Sequence, residues 1–516
     1  MQSMKYSYLL APVVCVLLAP TVSVAQNSTS FNIVTSNAEA DNPGNIYAVD
    51  VNNDGLTDIV EDSGYSNNSS FYVSINKGNG TFAAPVEYTL PVNDYEAMCI
   101  APADYNNDGK VDLAVPLAGT NQIAVYLGSG DGTFQSPTIS TVNFPNSGYT
   151  FDGQSGCAAG DFNADGAIDF AAWTNGGLYV TQGEGNGSFA ATPYLALANA
   201  FPSLSGVYVG DYNGDGKADL GVPTQNDNNG TTIDVLYGNN DFTFNVTTPY
   251  TYNGLLWVGS GDLNGDGITD LYAITNYSPT PQQLGVFYGT AEGTFNSYWI
   301  DTPAGYSIGA GSAAPPWTSQ LIMADFNGDG RMDLAAAASN SSGEDIEFFL
   351  AGANPGEFTA QAVAFPAESP WLTAPVAGLL SGGYLKPDVT LNQSNQGSDD
   401  TTPTTLPALL NTTKGLFGIC PYPKSGKGFN VCAPGLAYGD TALFSVAADS
   451  FGKLRKIELW VDGAKVQEQD NAWDTHAYFD WAGRFSNGTH KAAFYAYDVD
   501  TTVQRYNFTF NVGGRH

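Results

Sequence analysis

One nine-residue pattern recurs six times in this 516-residue chain, about every 50 to 63 residues. Each copy has Asp at positions 1, 5 and 9, Asn at position 3 and Gly at position 6. The copies span residues 50–58, 104–112, 161–169, 211–219, 262–270 and 325–333. A regular repeat of this length predicts a fold built from similar units, in which each unit buries its apolar faces against its neighbours.

The side chains of this pattern are typical ligands of a hard cation, and we expect Ca²⁺. Alternate residues such as Asp50, Asn52 and Asp54 point one way, Gly55 permits a sharp turn, and Asp58 closes the coordination sphere. Three carboxylates in an empty turn repel one another, which favours metal uptake. Identical spacing in six copies favours this interpretation over six solvated Asx-turns.

We therefore predict about six calcium ions, each held by side chains at positions 1, 3, 5 and 9 and by the backbone carbonyl at position 7. The predicted ligands are Asp50, Asn52, Asp54, Leu56, Asp58; Asp104, Asn106, Asp108, Lys110, Asp112; Asp161, Asn163, Asp165, Ala167, Asp169; Asp211, Asn213, Asp215, Lys217, Asp219; Asp262, Asn264, Asp266, Ile268, Asp270; and Asp325, Asn327, Asp329, Arg331, Asp333.

The flanking residues do not fit an EF-hand, which requires two helices and a Glu at position 12. Position 12 is Glu61 in the first copy but an apolar residue, such as Val115 or Ala336, in the others. Short apolar runs precede and follow each pattern, so we predict a turn between two β-strands.

A second repeat, a turn that ends in Phe, follows each metal turn. Its seven copies are Gly78–Phe82, Gly130–Phe134, Gly185–Phe189, Asn240–Phe244, Ala291–Phe295, Asn354–Phe358 and Thr413–Phe417. Since a β-rich segment precedes each copy, the unit is four strands, and seven units predict a β-propeller. The seventh metal turn, Gly378–Asp388, keeps only its final Asp, so we expect that unit to bind no ion.

These two repeats resemble the FG-GAP/VCBS repeats of bacterial secreted proteins and the propeller of integrin α subunits, over roughly residues 40–417. The resemblance implies a calcium-binding propeller. It is unspecific for function, because such propellers occur in adhesins, receptors, lectin-like proteins and a few polysaccharide-degrading enzymes.

We predict three segments: a signal peptide at residues 1–25, the propeller at residues 26–417, and an immunoglobulin-like β-sandwich at residues 418–516. The signal is indicated by Lys5, an apolar run from Leu9 to Pro20, and small residues before Gln26. The last segment has short alternating strands and a hairpin at Val461–Ala464, and its stretch Ile457–Gly463 resembles Ig-like modules of bacterial surface proteins. The predicted fold class is thus all-β, and the predicted location is secreted or at the cell surface.

The net charge of −34 is unevenly distributed. Residues 26–417 carry 41 acidic and six basic residues, whereas residues 418–516 carry ten of each. An acidic propeller disfavours nucleic acid and anionic membranes as partners. We expect no membrane span after signal removal, because no other segment is apolar for long enough.

Two cysteine pairs are predicted. Cys420 and Cys432 are close in sequence and are expected to form a local disulfide in an exported protein. Cys99 and Cys157 lie five and four residues before their metal turns, so they point to opposite faces of equivalent strands. Such faces meet between adjacent units, which permits an inter-blade disulfide; two buried free thiols are the alternative.

We expect no catalytic site. The three His residues, His476, His490 and His516, all lie after residue 417, so a Ser-His-Asp or Cys-His system in the propeller is excluded. His476 follows Asp474 closely, but a structural role is favoured for it. Paired carboxylates keep a carbohydrate-active enzyme or a glycan-binding accessory protein as the alternative, and a purely structural surface protein is a third interpretation.

We therefore predict a non-catalytic binding or adhesion protein whose protein or glycan ligand binds on the face opposite the calcium turns. The longest connection predicted on that face runs from Ser297 to Ser319 and carries Tyr298, Trp299, Tyr306 and Trp317, with Trp371 in the next one. Aromatic side chains there suit a sugar or protein contact, but packing between blades is the favoured alternative.

Overall fold

A computed structural model describes the chain from residue 31 to residue 512. The residues not described within that range are 38–44, 55, 63–69, 92–98, 147, 149, 152–155, 199–205, 226–230, 253–254, 276–281, 304–306, 309–320, 325, 328–330, 341–342, 365–375, 379–387, 391–404, 412–427, 433–440, 450–453, 471–475, 485–487 and 499–502. The predicted signal peptide lies outside the described residues.

The described part of the chain contains β-strands and no α-helix, which confirms the all-β class. Among these residues, accordingly, no helix is long and apolar enough to cross a membrane.

Seven sheets follow one another along the chain up to residue 411. The first comprises β2 (Ile46–Val49), β3 (Asp58–Asp62), β4 (Ser70–Ser74) and β5 (Val86–Thr89). The second comprises β6 (Ala101–Ala103), β7 (Asp112–Leu117), β8 (Gln122–Tyr126) and β9 (Thr138–Thr141). The third comprises β10 (Cys157–Gly160), β11 (Asp169–Thr174), β12 (Gly177–Gly183) and β13 (Phe189–Ala198). The fourth comprises β14 (Tyr208–Gly210), β15 (Asp219–Gln225), β16 (Thr231–Gly238) and β17 (Phe244–Tyr252).

The remaining three sheets continue the pattern. The fifth comprises β18 (Leu255–Gly261), β19 (Asp270–Thr275), β20 (Gln283–Gly289) and β21 (Phe295–Asp301). The sixth comprises β22 (Ser307–Ile308), β23 (Ile322–Ala324), β24 (Asp333–Asn340), β25 (Gly343–Ala351) and β26 (Phe358–Ala364). The seventh comprises β27 (Val376–Gly378), β28 (Asp388–Thr390), β29 (Thr405–Asn411) and β1 (Phe31–Asn37).

Successive sheets stack face to face, as the repeat predicts. The apolar cluster that contains Val60 and Phe71 of the first sheet also contains Leu113 and Val115 of the second. Equivalent clusters join each following pair of sheets as far as the sixth. Because side chains alternate along a strand, each sheet buries both faces, and this is the packing of a β-propeller.

The N-terminal strand occupies the outer position of the seventh sheet. β1 pairs antiparallel with β29, from Phe31 opposite Asn411 to Asn37 opposite Thr405. The sequence left two candidates for this position, the strand at Phe31 and the strand at Phe417. The structure places the first of them there, while Phe417 lies outside the described residues. Both ends of the repeat region are therefore joined in one sheet.

A disulfide links the second and third sheets. It joins Cys99 and Cys157, whose Cα atoms are 5.9 Å apart and which are 58 residues apart in sequence. This confirms the inter-blade bond over two free thiols. Closing a loop of this length stabilises a fold by about 4 kcal/mol in the chain-entropy model. Cys420 lies outside the described residues, so its bond to Cys432 stays a prediction.

A buried carboxylate in the sixth sheet predicts a pH-dependent stability. Glu347 on β25 is 1% exposed, and its Oε2 has no hydrogen-bond partner among the described residues. Burial, and secondly the charge of Asp345, raise the pKa of Glu347 to about 7. A raised pKa in the folded state means that stability is full below about pH 4.5 and is lost as the pH rises through 7.

We expect Glu347→Gln to remove this loss. At about pH 8 the variant should be more stable than the wild type by up to about 3 kcal/mol, and near pH 4.5 the two should be equal. Chemical denaturation of both proteins across this range measures the difference. A stability difference that does not change with pH would contradict the assignment of the titration to Glu347.

Two further sheets form the C-terminal part of the described chain. The smaller comprises β30 (Gly428–Cys432), β31 (Thr441–Asp449) and β34 (His476–Arg484) in the order β30-β31-β34. The larger comprises β32 (Leu454–Val461), β33 (Ala464–Asp470), β35 (Gly488–Asp498) and β36 (Val503–Val512) in the order β33-β32-β35-β36. The predicted hairpin is confirmed, since Val461 pairs with Ala464 and the residues between them, Asp462 and Gly463, have φ of 51° and 85°.

Candidate metal centres

Each predicted metal turn joins the first and second strands of its sheet. In the first sheet the residue before the pattern, Val49, pairs with position 9, Asp58. The equivalent pair recurs in the next five sheets. Strands flank every turn, which confirms the strand–turn–strand interpretation over an EF-hand.

Positions 1, 3 and 5 are gathered by backbone amides of the turn itself. In the second turn, the amide of Asp108 donates to Asp104 Oδ1 at 3.1 Å and to Asn106 Oδ1 at 2.9 Å. Asp104 Oδ2 accepts from Gly109 N at 2.8 Å, and Asp108 Oδ1 accepts from Lys110 N at 3.0 Å. Since one amide bonds both Asp104 and Asn106, their oxygens lie on the same side of the turn.

The backbone conformation at position 4 makes this arrangement possible. The sequence analysis did not assign this position a role. Position 4 has a positive φ, between 59° and 75°, in the first five turns. The residues are Asn53, Asn107, Ala164, Gly214 and Gly265. Asn and Gly adopt this conformation readily, whereas Ala pays about 1 kcal/mol or more. The preference for Asn or Gly at position 4 was the signal in the sequence.

Position 9 has a structural role as well as the predicted ligand role. Asp219 is fully buried, and its Oδ2 accepts from Tyr212 N at 3.0 Å, at the start of the turn. Its Oδ1 accepts from Gly238 N at 2.7 Å, at the end of the third strand. All six position-9 residues make this pair of bonds, so each fastens its turn to the sheet.

The acids of one turn interact electrostatically. Burial raises the pKa of Asp58 to about 8, and the charges of Asp50 and Asp54 act in the same direction. The same causes raise the pKa of Asp169 to about 8 and that of Asp112 to about 7. A buried carboxylate next to two others gains most from a nearby cation.

The donor chemistry of the turns fits calcium. Each turn that is described in full offers hard oxygen atoms from three carboxylates, including the buried one at position 9, from one amide and from the backbone. Among the described residues, no three acidic, His or Cys side chains are grouped closely enough to hold a metal ion. Asp325 and Asp329 of the sixth turn lie outside the described residues.

Comparison with known families identifies the repeat. The FG-GAP-like repeat family matches residues 62–115, 161–222 and 262–336. The chain carries FG-GAP-like repeats. A segment of 106 residues is 35% identical to integrin alpha-PS3 of Drosophila melanogaster, and it covers 18% of this chain and 9% of the integrin.

Solved structures show only distant likeness to this chain. A lectin from Agrocybe aegerita, described as recognising non-reducing terminal N-acetylglucosamine, is 17% identical with a TM-score of 0.44, over 66% of this chain and 91% of the lectin. A mutant of the NanB sialidase from Streptococcus pneumoniae is 12% identical with a TM-score of 0.36, over 72% of this chain and 68% of the sialidase. At these scores neither likeness carries an argument about function.

Neighbouring FG-GAP-like repeats contact each other through their turns. Thr269, at position 8 of the fifth turn, donates its amide to Asp211 O at 2.8 Å, and its hydroxyl accepts from Asp211 N at 2.9 Å. A Cβ on Gly130, in the second Phe-ended turn, would lie 3.3 Å from Asn53 of the first metal turn. The metal turns are therefore part of the packing between repeats.

Of the aromatic residues predicted on the opposite face, Tyr298 and Trp299 are on a strand and not in a connection. The predicted connection from Ser297 is wrong at its start, because residues up to Asp301 belong to β21, which pairs with β20. Trp299 packs at 5.6 Å, edge to face, against Phe287 and lies over Gly285, so its role is packing within the sheet. Tyr298 is 38% exposed. Tyr306, Trp317 and Trp371 lie outside the described residues.

A His–Asp pair is present after the repeats, and it is formed by His490 and Asp462. His490 Nδ1 lies 2.6 Å from Asp462 Oδ2, and His490 is buried. Asp462 also accepts from Lys491 N at 2.9 Å. The pair connects the β32–β33 hairpin to β35. Because Asp462 and His490 are 28 residues apart, no local sequence motif indicated that they would meet. The side chain of His476 is outside the described residues.

Proposed function

We propose that this chain is an exported, calcium-loaded, seven-bladed β-propeller followed by an Ig-like β-sandwich, and that it acts as a non-catalytic binding or adhesion module outside the cell. The carrying observation is the set of like-built turns, in which buried and exposed acids occupy the same positions between the first two strands of each repeat. The ions neutralise these acids and hold the first two strands of the first six blades.

Closure of the ring supports the seven-bladed arrangement. The first strand of the first sheet contacts that of the seventh, and β1 pairs with β29, so the N-terminus and the end of the repeat region share a sheet. The order of the seventh sheet also matches the others, since Gly378 pairs with Asp388 as Val49 pairs with Asp58. The seventh blade carries no ion, because its turn lacks the earlier acids.

The strand orders of the last two sheets support the Ig-like domain. A three-stranded and a four-stranded antiparallel sheet, made of seven consecutive strands with crossovers between the sheets, fit a β-sandwich of this class. In such modular surface proteins this domain serves as a spacer or as a second binding unit.

The binding role is tested by presenting the calcium-loaded chain to isolated cell-surface protein and glycan fractions. The expected result is a ligand that is retained with calcium, is released by EDTA, and binds again when both components are purified. The same fractions are monitored for newly released sugars or cleaved products. A product that increases with time and with the concentration of this protein would overturn the non-catalytic assignment in favour of a carbohydrate-active enzyme. The lack of any calcium-dependent ligand would overturn the adhesion role.

A further inference from the structure

The outer face of the C-terminal four-stranded sheet carries a groove of about 830 Å³. It is lined by Trp460, Asp462, Lys491, Ala493, Tyr495, Arg505 and Asn507, among others. Ile457, Leu459 and Val461 of β32 are buried on the other face of the sheet, so these residues are on the side away from the apolar core. The volume is in the usual range for a small-molecule site.

The floor of the groove is formed by the small side chain of Ala493, which lies between larger side chains on the neighbouring strands. Ala493 pairs with Trp460 on one side and with Asn507 on the other. The rings of Trp460 and Tyr495 are 5.9 Å apart at an angle of 65°. A methyl group at the centre of the sheet thus leaves space that two aromatic side chains enclose.

Hydrogen bonds fix the aromatic wall before any ligand binds. Trp460 Nε1 donates to Glu458 Oε2 at 2.8 Å, which uses the only polar group of the indole. Tyr497 OH donates to the same oxygen at 2.8 Å, and Lys456 Nζ donates to the other oxygen at 3.0 Å. Trp460 can therefore offer a ligand only its apolar surface, and little side-chain entropy is lost when it does so.

The charges of the groove favour an anion. The Arg505 guanidinium lies 5.1 Å from the ring centre of Tyr495, and within the described chain no carboxylate forms a salt bridge with Arg505 or Lys491. The acid at the rim, Asp462, is already bonded to His490 and to the amide of Lys491. A planar guanidinium held on an aromatic ring is suited to a carboxylate, which it can bind with two parallel hydrogen bonds.

We propose that this groove binds a saccharide that carries a carboxylate, with a pyranose ring packed on Trp460 and the carboxylate on Arg505. A sugar supplies both an apolar face and an anionic group within one compact ring, which matches the close spacing of the two side chains. The groove lies over the face of the sheet, and its centre is above β32 and β35, whose backbones are already paired on both sides, so a peptide there gains no strand pairing. This site is separate from the calcium turns and does not rest on the function proposed for the propeller.

The test is calorimetric titration of the full calcium-loaded chain with trigalacturonate and with its methyl ester, in which each carboxylate is replaced by an uncharged methyl ester group. The acid should bind at least about ten-fold more tightly than the ester. Sialyllactose and lactose form a second pair that distinguishes a sialic acid from a uronic acid as the source of the carboxylate. Saturable binding of either acid above its neutral counterpart supports the proposal.

Variants assign the site. Arg505→Gln should reduce binding of the acid to the level of the ester and leave the ester unchanged, whereas Trp460→Ala should weaken both by about ten-fold or more. Trp460→Phe keeps an aromatic face and should retain most of the binding, which separates loss of contact from loss of folding. Lys77→Gln, which removes an exposed basic side chain from the propeller, should have no effect.

Three outcomes would overturn the proposal. The first is no saturable binding of either acid. The second is an Arg505→Gln protein that still prefers the acid to its neutral counterpart. The third is tighter binding of a hexa-aspartate peptide than of both acidic sugars, which would make the groove a peptide site.

Discussion

Removal of calcium is expected to lower the melting temperature of this protein by roughly 4–11 °C. At millimolar calcium, sites of the affinity usual for extracellular modules each stabilise the folded state by about 0.5–1.5 kcal/mol. Six such sites in one cooperative unit give on the order of 3–9 kcal/mol, and each kcal/mol shifts the melting temperature of a unit as long as residues 26–417 by about 1.2 °C. The like-charge repulsion among the acids of an empty turn acts in the same direction.

Differential scanning calorimetry with calcium, with EDTA and after calcium is restored measures this effect, and metal analysis of the purified protein counts the ions. Magnesium should restore little of the loss, because it requires a smaller and more regular octahedral site than these turns offer. An identical melt in EDTA, together with no bound metal, would contradict the calcium assignment. The turns would then be held only by the hydrogen bonds that backbone amides donate to their side chains.

The sequence predicted the repeated unit well because its determinants are local. A nine-residue turn contains its own predicted ligands and its own glycine, and a Phe-ended turn follows the third strand in each of the first six units. Strand–turn–strand geometry followed from the short apolar runs on either side, as Val49 and Asp58 show by pairing at the base of the first turn. The parity of Cys99 and Cys157 within equivalent strands was enough to suggest their bond.

Features that depend on distant residues were not predictable in the same way. Each position-9 acid accepts one hydrogen bond from the start of its turn and one from the end of the third strand, and the second of these depends on the register of the sheet, as in the contact of Asp219 with Gly238. The groove around Ala493 brings together three strands whose pairing no local pattern gives. The sequence also placed Trp299 in a loop, because the turn motif marks where β21 begins but nothing marks where it ends.

The position-9 acids lead to the second large effect: Asp219→Ala should destabilise the protein even when no calcium is present. Two buried backbone amides, those of Tyr212 and Gly238, would lose their acceptor, and each unsatisfied amide costs about 1–3 kcal/mol. The total is on the order of 2–6 kcal/mol in EDTA. In calcium the loss of one metal ligand is added to it.

Asp215→Ala is the matched control, since Asp215 is a predicted ligand of the same turn. Its carboxylate is exposed, and its contacts are Lys217 N at 3.0 Å and the surface ion pair with Lys217 Nζ at 2.8 Å. Such a pair contributes about 0–1 kcal/mol. We therefore expect Asp215→Ala to match the wild type closely in EDTA and to be less stable only in calcium. Melts of the three proteins under both conditions separate the two roles. Equal stability of both variants in EDTA would show that Asp219 acts as a ligand alone. A deficit confined to Asp219→Ala would show that this position-9 acid fastens its turn to the sheet before any ion binds.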